Sequence, residues 1–279
     1  MRAALALVAA VAAGAAAMAL AQGEPAPARI ALEPLPGRMV IIATVPGLGG
    51  EQFNLVLPKT ISCREMELVN DAPGFAIHWD EPEADGTLRG GWDGAAAGSY
   101  ALVLRPAHDH LDVQLTVTNR TRVTWTDTWA FTFMAPRDPA SSFVDPTRER
   151  ILVPHGGGVA SLARLDAPDG PRPEITFFLR EGAGNPADQP FIHAMGQTSA
   201  DRVDGDWMLL LNQAEDAWVA WSVPEAMFMF NHRGLSSIHV APLLGDLAPG
   251  ESATVELRAY FARGGREEAL ARIAADRRR

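Results

Sequence analysis

The sequence predicts an all-β protein, a large two-sheet antiparallel sandwich with a short C-terminal helix. Three observations carry that expectation. Leu111, Val113, Leu115 and Val117 alternate with Asp112, Gln114, Thr116 and Thr118, and Ala253, Val255, Leu257, Ala259 and Phe261 alternate with Ser252, Thr254, Glu256, Arg258 and Tyr260. A period of two residues sends one set to a buried face and the other to water. Between these stretches, short apolar runs are separated by turn residues and none keeps a helical repeat, so the strands pack as antiparallel sheets face to face.

In chain order, residues 1–21 read as a secretory signal peptide: Arg2, an Ala/Leu/Val run, and the small-x-small pattern Ala19-Leu20-Ala21 before Gln22. The alternative is a retained anchor, because the run is just long enough to span a bilayer. The signal reading places the mature chain outside the cytoplasm, in the periplasm or secreted. Residues 22–37 hold Pro25, Pro27, Pro34 and Pro36 and form an extended leader with one edge strand over 29–32.

Residues 38–279 read as a single sandwich domain. Further strands are expected over 39–45, 53–57, 66–70, 100–105, 123–134, 174–180, 207–212, 217–223, 227–232 and 237–241. The helix is expected over 266–278. Ala269, Leu270, Ile273 and Ala274 form one stripe, with Glu267 and Glu268 in the first turn and arginines at the end, as the helix dipole favours. The single cysteine, Cys63, has no internal disulfide partner and reads as a small buried apolar residue.

The chain has 24 Lys and Arg against 34 Asp and Glu, a formal charge of −10. Such a body has no electrostatic attraction to phosphate backbones or anionic lipid, which argues against nucleic-acid partners and, after signal cleavage, a membrane partner. There is no Gly-x-Ser-x-Gly elbow, His-Glu-x-x-His, Cys-x-x-Cys pair or dinucleotide fingerprint, and no cofactor is expected.

Three segments carry a resemblance: the strand Leu111 to Asn119 with Trp125 after it; Phe143-Val144-Asp145-Pro146-Thr147-Arg148-Glu149-Arg150; and Ser236-Ser237-Ile238-His239-Val240, continuing through Gly245 to Ser252 and on to Tyr260-Phe261. Together they resemble secreted bacterial proteins related to the galactose-mutarotase-like supersandwich. The resemblance implies a large two-sheet fold shared by aldose epimerases and by domains of polysaccharide-degrading enzymes. In mutarotases a histidine acid and a carboxylate base stand beside the sugar.

The residues nominate chemistry on their own terms. His232 and His239 flank the short link Arg233-Gly234-Leu235, so a hairpin brings Asn231 or His232 near His239. The functional reading is a polar cluster where a histidine moves a proton; the bland one is a backbone-bonded core or turn histidine. Residues 135–155 form a long polar loop in which Arg148 with Asp145 can orient sugar hydroxyls or a uronate carboxylate, or simply make a surface ion pair. His155 precedes three glycines, which permit close backbone approach. Asp127 falls on the parity of Trp125, Trp129, Phe131 and Phe133, where a carboxylate is costly unless paired or functional; the alternative is a turn at 126–128. Trp79 and Trp92 sit in loop-like settings and are candidate stacking platforms, whereas Trp125, Trp129, Trp218 and Trp221 read as core. His108 and His110 begin a metal site only with a third ligand, and a polar turn is the competing reading. Asn119-Arg120-Thr121 fits a glycosylation acceptor or a hairpin turn.

The expected function is an exported carbohydrate-interacting protein. His155, His232, His239 and Asp145 are the expected catalytic groups, and Arg148, Asn231, Trp79, Trp92 and Asp127 the expected binding groups. If catalytic, the chemistry is epimerase, lyase or hydrolase proton transfer. The alternative is a non-catalytic binding or scaffold module of the cell envelope.

Overall fold

The computed structural model describes residues 28–69, 77–165, 174–183 and 196–278. The expected signal peptide and the first leader residues, 22–27, lie outside them. The strands are β1 (Ala31–Pro34), β2 (Val40–Val45), β3 (Glu51–Ser62), β4 (Glu67–Val69), β5 (His78–Trp79), β6 (Leu88–Asp93), β7 (Gly98–Pro106), β8 (His110–Asn119) and β9 (Trp125–Pro136). They continue with β10 (Ile151–His155), β11 (Gly158–Ser161), β12 (Ile175–Leu179), β13 (Gln197–Thr198), β14 (Trp207–Leu211), β15 (Ala217–Ser222), β16 (Ala226–His232), β17 (Ile238–Leu247) and β18 (Ser252–Arg263). Helices α1 (Leu162–Leu165) and α2 (Arg266–Asp276) and two 3-10 turns (Pro46–Leu48 and Arg233–Leu235) complete the described elements.

Among the described residues the strands form two nine-stranded sheets, so the two-sheet sandwich expected from alternation is the fold found. Sheet A runs β1-β2-β3-β9-β17-β16-β12-β13, with β4 also on β3; sheet B runs β11-β10-β14-β15-β18-β8-β7-β6-β5. Neighbours are antiparallel apart from the parallel pair β12–β13.

The alternation that predicted β8 and β18 is realised directly. Leu111, Val113, Leu115 and Val117 are buried between the sheets. On the outer face Thr116 meets Thr254 at 2.8 Å, Thr118 meets Ser252 at 2.7 Å and Gln114 donates to Glu256 at 2.8 Å. Such cross-strand pairs contribute roughly 0.2–1 kcal/mol each and fix register. Between the sheets Phe53 packs on Phe143 and Phe261, both at 5.3 Å between ring centroids. On the outer face of sheet B, Ala269 and Ile273 of α2 cover Trp218 and Tyr260. The expected helical stripe therefore docks as a closure. The four tryptophans read as core are buried, as is Cys63.

Some boundaries differ from expectation. The leader's edge strand is Ala31–Pro34 and pairs with β2. Residues 135 and 136 finish β9 and residues 151–155 form β10, so the expected long loop is confined to 137–150. The glycine run is the β10–β11 hairpin turn: His155 pairs with Gly158, and Gly156 and Gly157 take φ of +62° and +73°. Two successive positive φ values define the two-residue turn that matches strand twist, which explains glycine at both positions. Asn119 is fully buried and donates to the Val123 and Leu247 carbonyls, both at 2.8 Å, so it locks a turn and presents no acceptor for a glycan.

β9 does not keep one parity. Asp127 takes φ +51°, and the β9–β17 register shifts around Gly245. The irregularity puts Trp125 in the inter-sheet core and Trp129 on the outer face of sheet A. Asp127 is thereby released from the aromatic face and pairs with Arg64 Nε at 2.6 Å.

Candidate functional site

The site is built at one end of sheet A, where the loop after β9 meets the β16–β17 hairpin. Asp145 shapes the loop. Its Oδ1 accepts from the Thr147 N–H at 3.2 Å and hydroxyl at 2.6 Å, and its Oδ2 accepts from the Arg150 N–H at 2.7 Å. Its own N–H donates to Ser236 Oγ at 2.7 Å, and the residue is 1% exposed. Both carboxylate oxygens of Asp145, an expected catalytic group, accept hydrogen bonds from the loop that carries it.

That turn holds Arg148 at φ +64°, a left-handed conformation uncommon for a side-chain-bearing residue. Arg148 is buried; its Nε donates to Asn231 Oδ1 at 2.7 Å and its Nη2 to the Glu174 carbonyl at 3.0 Å. Asn231 Nδ2 donates to the Ser237 carbonyl at 2.6 Å. Ser237 Oγ accepts from the His232 backbone N–H at 3.3 Å and lies 2.5 Å from His239 Nε2. Arg148, Asn231, His232 and His239 thus belong to one hydrogen-bonded chain.

His239 occupies an aromatic row that crosses four strands. Strand register sets Phe133 opposite His239, His239 opposite Phe230, and Phe230 opposite Phe177. The His239 ring lies 3.7 Å from the Phe230 centroid at 22°, with Phe133 at 4.7 Å and Phe131 at 5.2 Å. Burial holds its pKa well below the ordinary histidine value, and the charges of His232 and Lys59 push the same way. His239 is therefore neutral at physiological pH. Its Nδ1 is buried and has no hydrogen-bond partner among the described residues.

His232 is more open. Its Nδ1 lies 3.3 Å from Glu174 Oε1, with side-chain exposures of 33% and 57%. The distance suits an ion pair, while among the described residues Nδ1 makes no aligned hydrogen bond. Glu174 Oε1 also accepts from the Gly234 N–H at 2.6 Å, which ties the carboxylate to the hairpin turn. Sequence reasoning placed Glu174 only at the start of a strand. Its partner is 58 positions away, and no local pattern marks the pairing.

Beside this pair, Thr147, Glu149, Ser161, Ala163, Arg164 and Arg233 line a polar cleft of about 560 Å³. Three segments meet there: the Ala163 N–H donates to the Arg148 carbonyl at 3.1 Å, and Arg233 Nε to the Pro146 carbonyl at 2.9 Å.

The other nominated residues stand elsewhere. His155 closes β10 on sheet B, with its Nδ1 2.8 Å from the Arg202 carbonyl. Trp79 and Trp92 lie at the far edge of sheet B and do not wall the histidine cluster. Trp79 donates to the Arg38 carbonyl at 3.2 Å, and Trp92 stacks with Tyr100 at 6.3 Å. Asp127 is six residues along β9 from Phe133, roughly 20 Å at strand rise. His108 and His110 join a charge network: Asp109 Oδ1 is 2.7 Å from His110 Nδ1, and Arg272 Nη1 is 3.3 Å from Asp109. Among the described residues no group of three or more His, Cys, Asp or Glu is placed to hold a metal ion.

No protein-family model matches the sequence, and no curated protein matches it. Solved structures do. One is a protein from Synechocystis sp. PCC 6803 (TM-score 0.44, 9% identity, 85% of this chain and 96% of that one). Another is a galactose mutarotase-like protein from Lactobacillus casei ATCC 334 (0.42, 10%, 84% and 100%). A third is a galactose mutarotase related enzyme from Lactobacillus acidophilus (0.40, 9%, 85% and 98%). At these TM-scores and identities the likeness carries no argument about chemistry, and the two-sheet fold stands on the strand pairing itself.

Proposed function

We propose that the protein is exported and binds a carbohydrate at the hairpin end of sheet A, where the His232–Glu174 pair moves a proton at the sugar. The names of the mutarotase-like neighbours agree with that class, but the reading rests on the chain's own residues. One observation carries it: an accessible imidazole and an accessible carboxylate lie 3.3 Å apart beside a polar cleft. Glu174 lies against Nδ1 at 3.3 Å, and Nε2, which has no hydrogen-bond partner among the described residues, is the proton-handling nitrogen. Ser237 and the neutral His239 position the hairpin behind it. A cleft of this size lies within the roughly 300–1,000 Å³ typical of small-molecule sites.

A non-catalytic envelope module is the second reading. It is favoured by the closure of the aromatic row, since Phe131, Phe177 and Phe230 are at most 2% exposed and offer no free ring face to a sugar. A saccharide-array screen on the chain from residue 22 onward, followed by turnover assays on the sugars that bind, separates the two. Turnover that His232→Ala and Glu174→Gln abolish, with thermal stability unchanged, supports the catalytic reading. Binding without turnover leaves the module, and absence of saccharide binding overturns the proposal.

A further inference from the structure

We infer that the cleft beside His232 is a carboxylate-recognition subsite, with Arg164 and Arg233 clamping the acid group of a sugar acid. The inference rests on the proposed function and specifies its substrate class.

The cleft is lined by two arginines and one acid, Glu149, and the Glu174 carboxylate stands beside it on the Gly234 N–H. Among the described residues neither arginine is within ion-pair distance of a carboxylate. The Arg233 guanidinium is already oriented, because its Nε donates to the Pro146 carbonyl at 2.9 Å, and among the described residues its two terminal nitrogens make no hydrogen bond. A planar fork held in this way matches the two oxygens of a carboxylate. Arg164, on α1, lines the same cleft, and α1 is fixed to the loop by the Ala163 N–H donating to the Arg148 carbonyl.

Charge selects within the anions. Two arginines against Glu149 and the adjacent Glu174 leave nothing to offset the second charge of a phosphate dianion, so a monoanionic carboxylate is the favoured anion. Ser161 and Glu149 then supply a hydroxyl and an acceptor carboxylate for ring hydroxyls. The Thr147 hydroxyl donates to Asp145 Oδ1 and keeps its lone pairs as acceptors. An acid group on the two arginines leaves the sugar ring extending toward the adjacent His232 and Glu174.

Isothermal titration of the chain from residue 22 onward with galacturonate, galactose and inorganic phosphate tests this. Galacturonate is expected to bind at least about tenfold tighter than galactose, as one charge-assisted fork supplies. Arg164→Ala and Arg233→Ala each bring the ratio of galacturonate to galactose affinity down toward one, and Arg233→Lys restores part of it. Arg164 is exposed, so its replacement does not threaten folding. If galactose binds as tightly as galacturonate, or if the arginine variants keep the preference, the subsite is overturned while the proposed function stands. Phosphate binding as tight as galacturonate also overturns the carboxylate assignment. If neither sugar binds, the subsite is overturned, and the saccharide array decides the proposed function by itself.

Discussion

Trp221 of sheet B donates its indole N–H to the Thr132 hydroxyl of sheet A across 2.7 Å, and that hydroxyl donates to the Val240 carbonyl at 2.6 Å. All three residues are buried, so this polar relay crosses the inter-sheet core out of reach of water. Thr132→Val keeps the shape and removes both bonds, stranding a buried indole N–H. The cost expected is about 1–3 kcal/mol, read as a lowered midpoint in urea denaturation with unchanged slope. Thr132→Ser retains the hydroxyl and is expected to recover most of the loss.

His239 and His110 are expected to tilt stability with pH in opposite directions. For His239 the folded-state pKa lies well below the ordinary 6.5. Below that value the unfolded chain takes a proton that the folded chain refuses, so stability falls as pH falls, by at most about 1.4 kcal/mol per pH unit. His239→Gln removes this slope. NMR of the histidine ring is expected to show no titration of His239 between pH 6 and 8, and a midpoint near 6.5 would refute its neutrality.

For His110 the folded pKa is raised by the Asp112 carboxylate 3.7 Å away and by Asp109, against the effect of burial. Its contribution is complete below pH 6.5 and is lost as pH rises through the raised value. His110 and Arg258 in turn hold Asp112 down to about 2, so that carboxylate's contribution is present above 3.8 and disappears as pH falls toward 2. His110→Gln is therefore expected to lower stability at pH 6 and leave it nearly unchanged at pH 9, measured by thermal melts at both.

Asn231 accepts from Arg148 and donates to the Ser237 carbonyl in a buried setting. Asn231→Leu breaks both bonds, one of them to a charged group, and is expected to cost about 2–4 kcal/mol. Asn231→Asp keeps the acceptor for Arg148 and is expected to cost less. An Asn231→Leu melting temperature equal to that of the parent chain would remove the hydrogen-bonded chain as an organiser of the hairpin.

Helix α2 closes sheet B through Ile273, which is 1% exposed, and through Arg258, which bonds Asp112 at 2.6 Å and Asp276 at 3.0 Å. Ile273→Ala is expected to destabilise by roughly 2–4 kcal/mol, the transfer term plus the cavity left behind. Arg258→Ala, half-exposed, is expected to have the smaller effect in the same denaturation series.

Local pattern alone determined much of this protein. Strict alternation in β8 and β18, the apolar stripe of α2 and the hairpin link at 233–235 were legible because side-chain direction in a strand or helix follows from position along the chain. His232, His239, Asn231 and Arg148 were legible as candidates because their residue types carry the needed chemistry. The tertiary structure alone decided which of them meet. Register across β9, β17, β16 and β12 put His239 among phenylalanines and made it neutral. The shift at Asp127 moved that carboxylate off the aromatic face, and assignment to sheet B separated Trp79, Trp92 and His155 from the cluster. Glu174 joined His232 across 58 positions. Such pairings depend on strands distant in sequence finding one register, and no local repeat encodes which distant partner a residue will face.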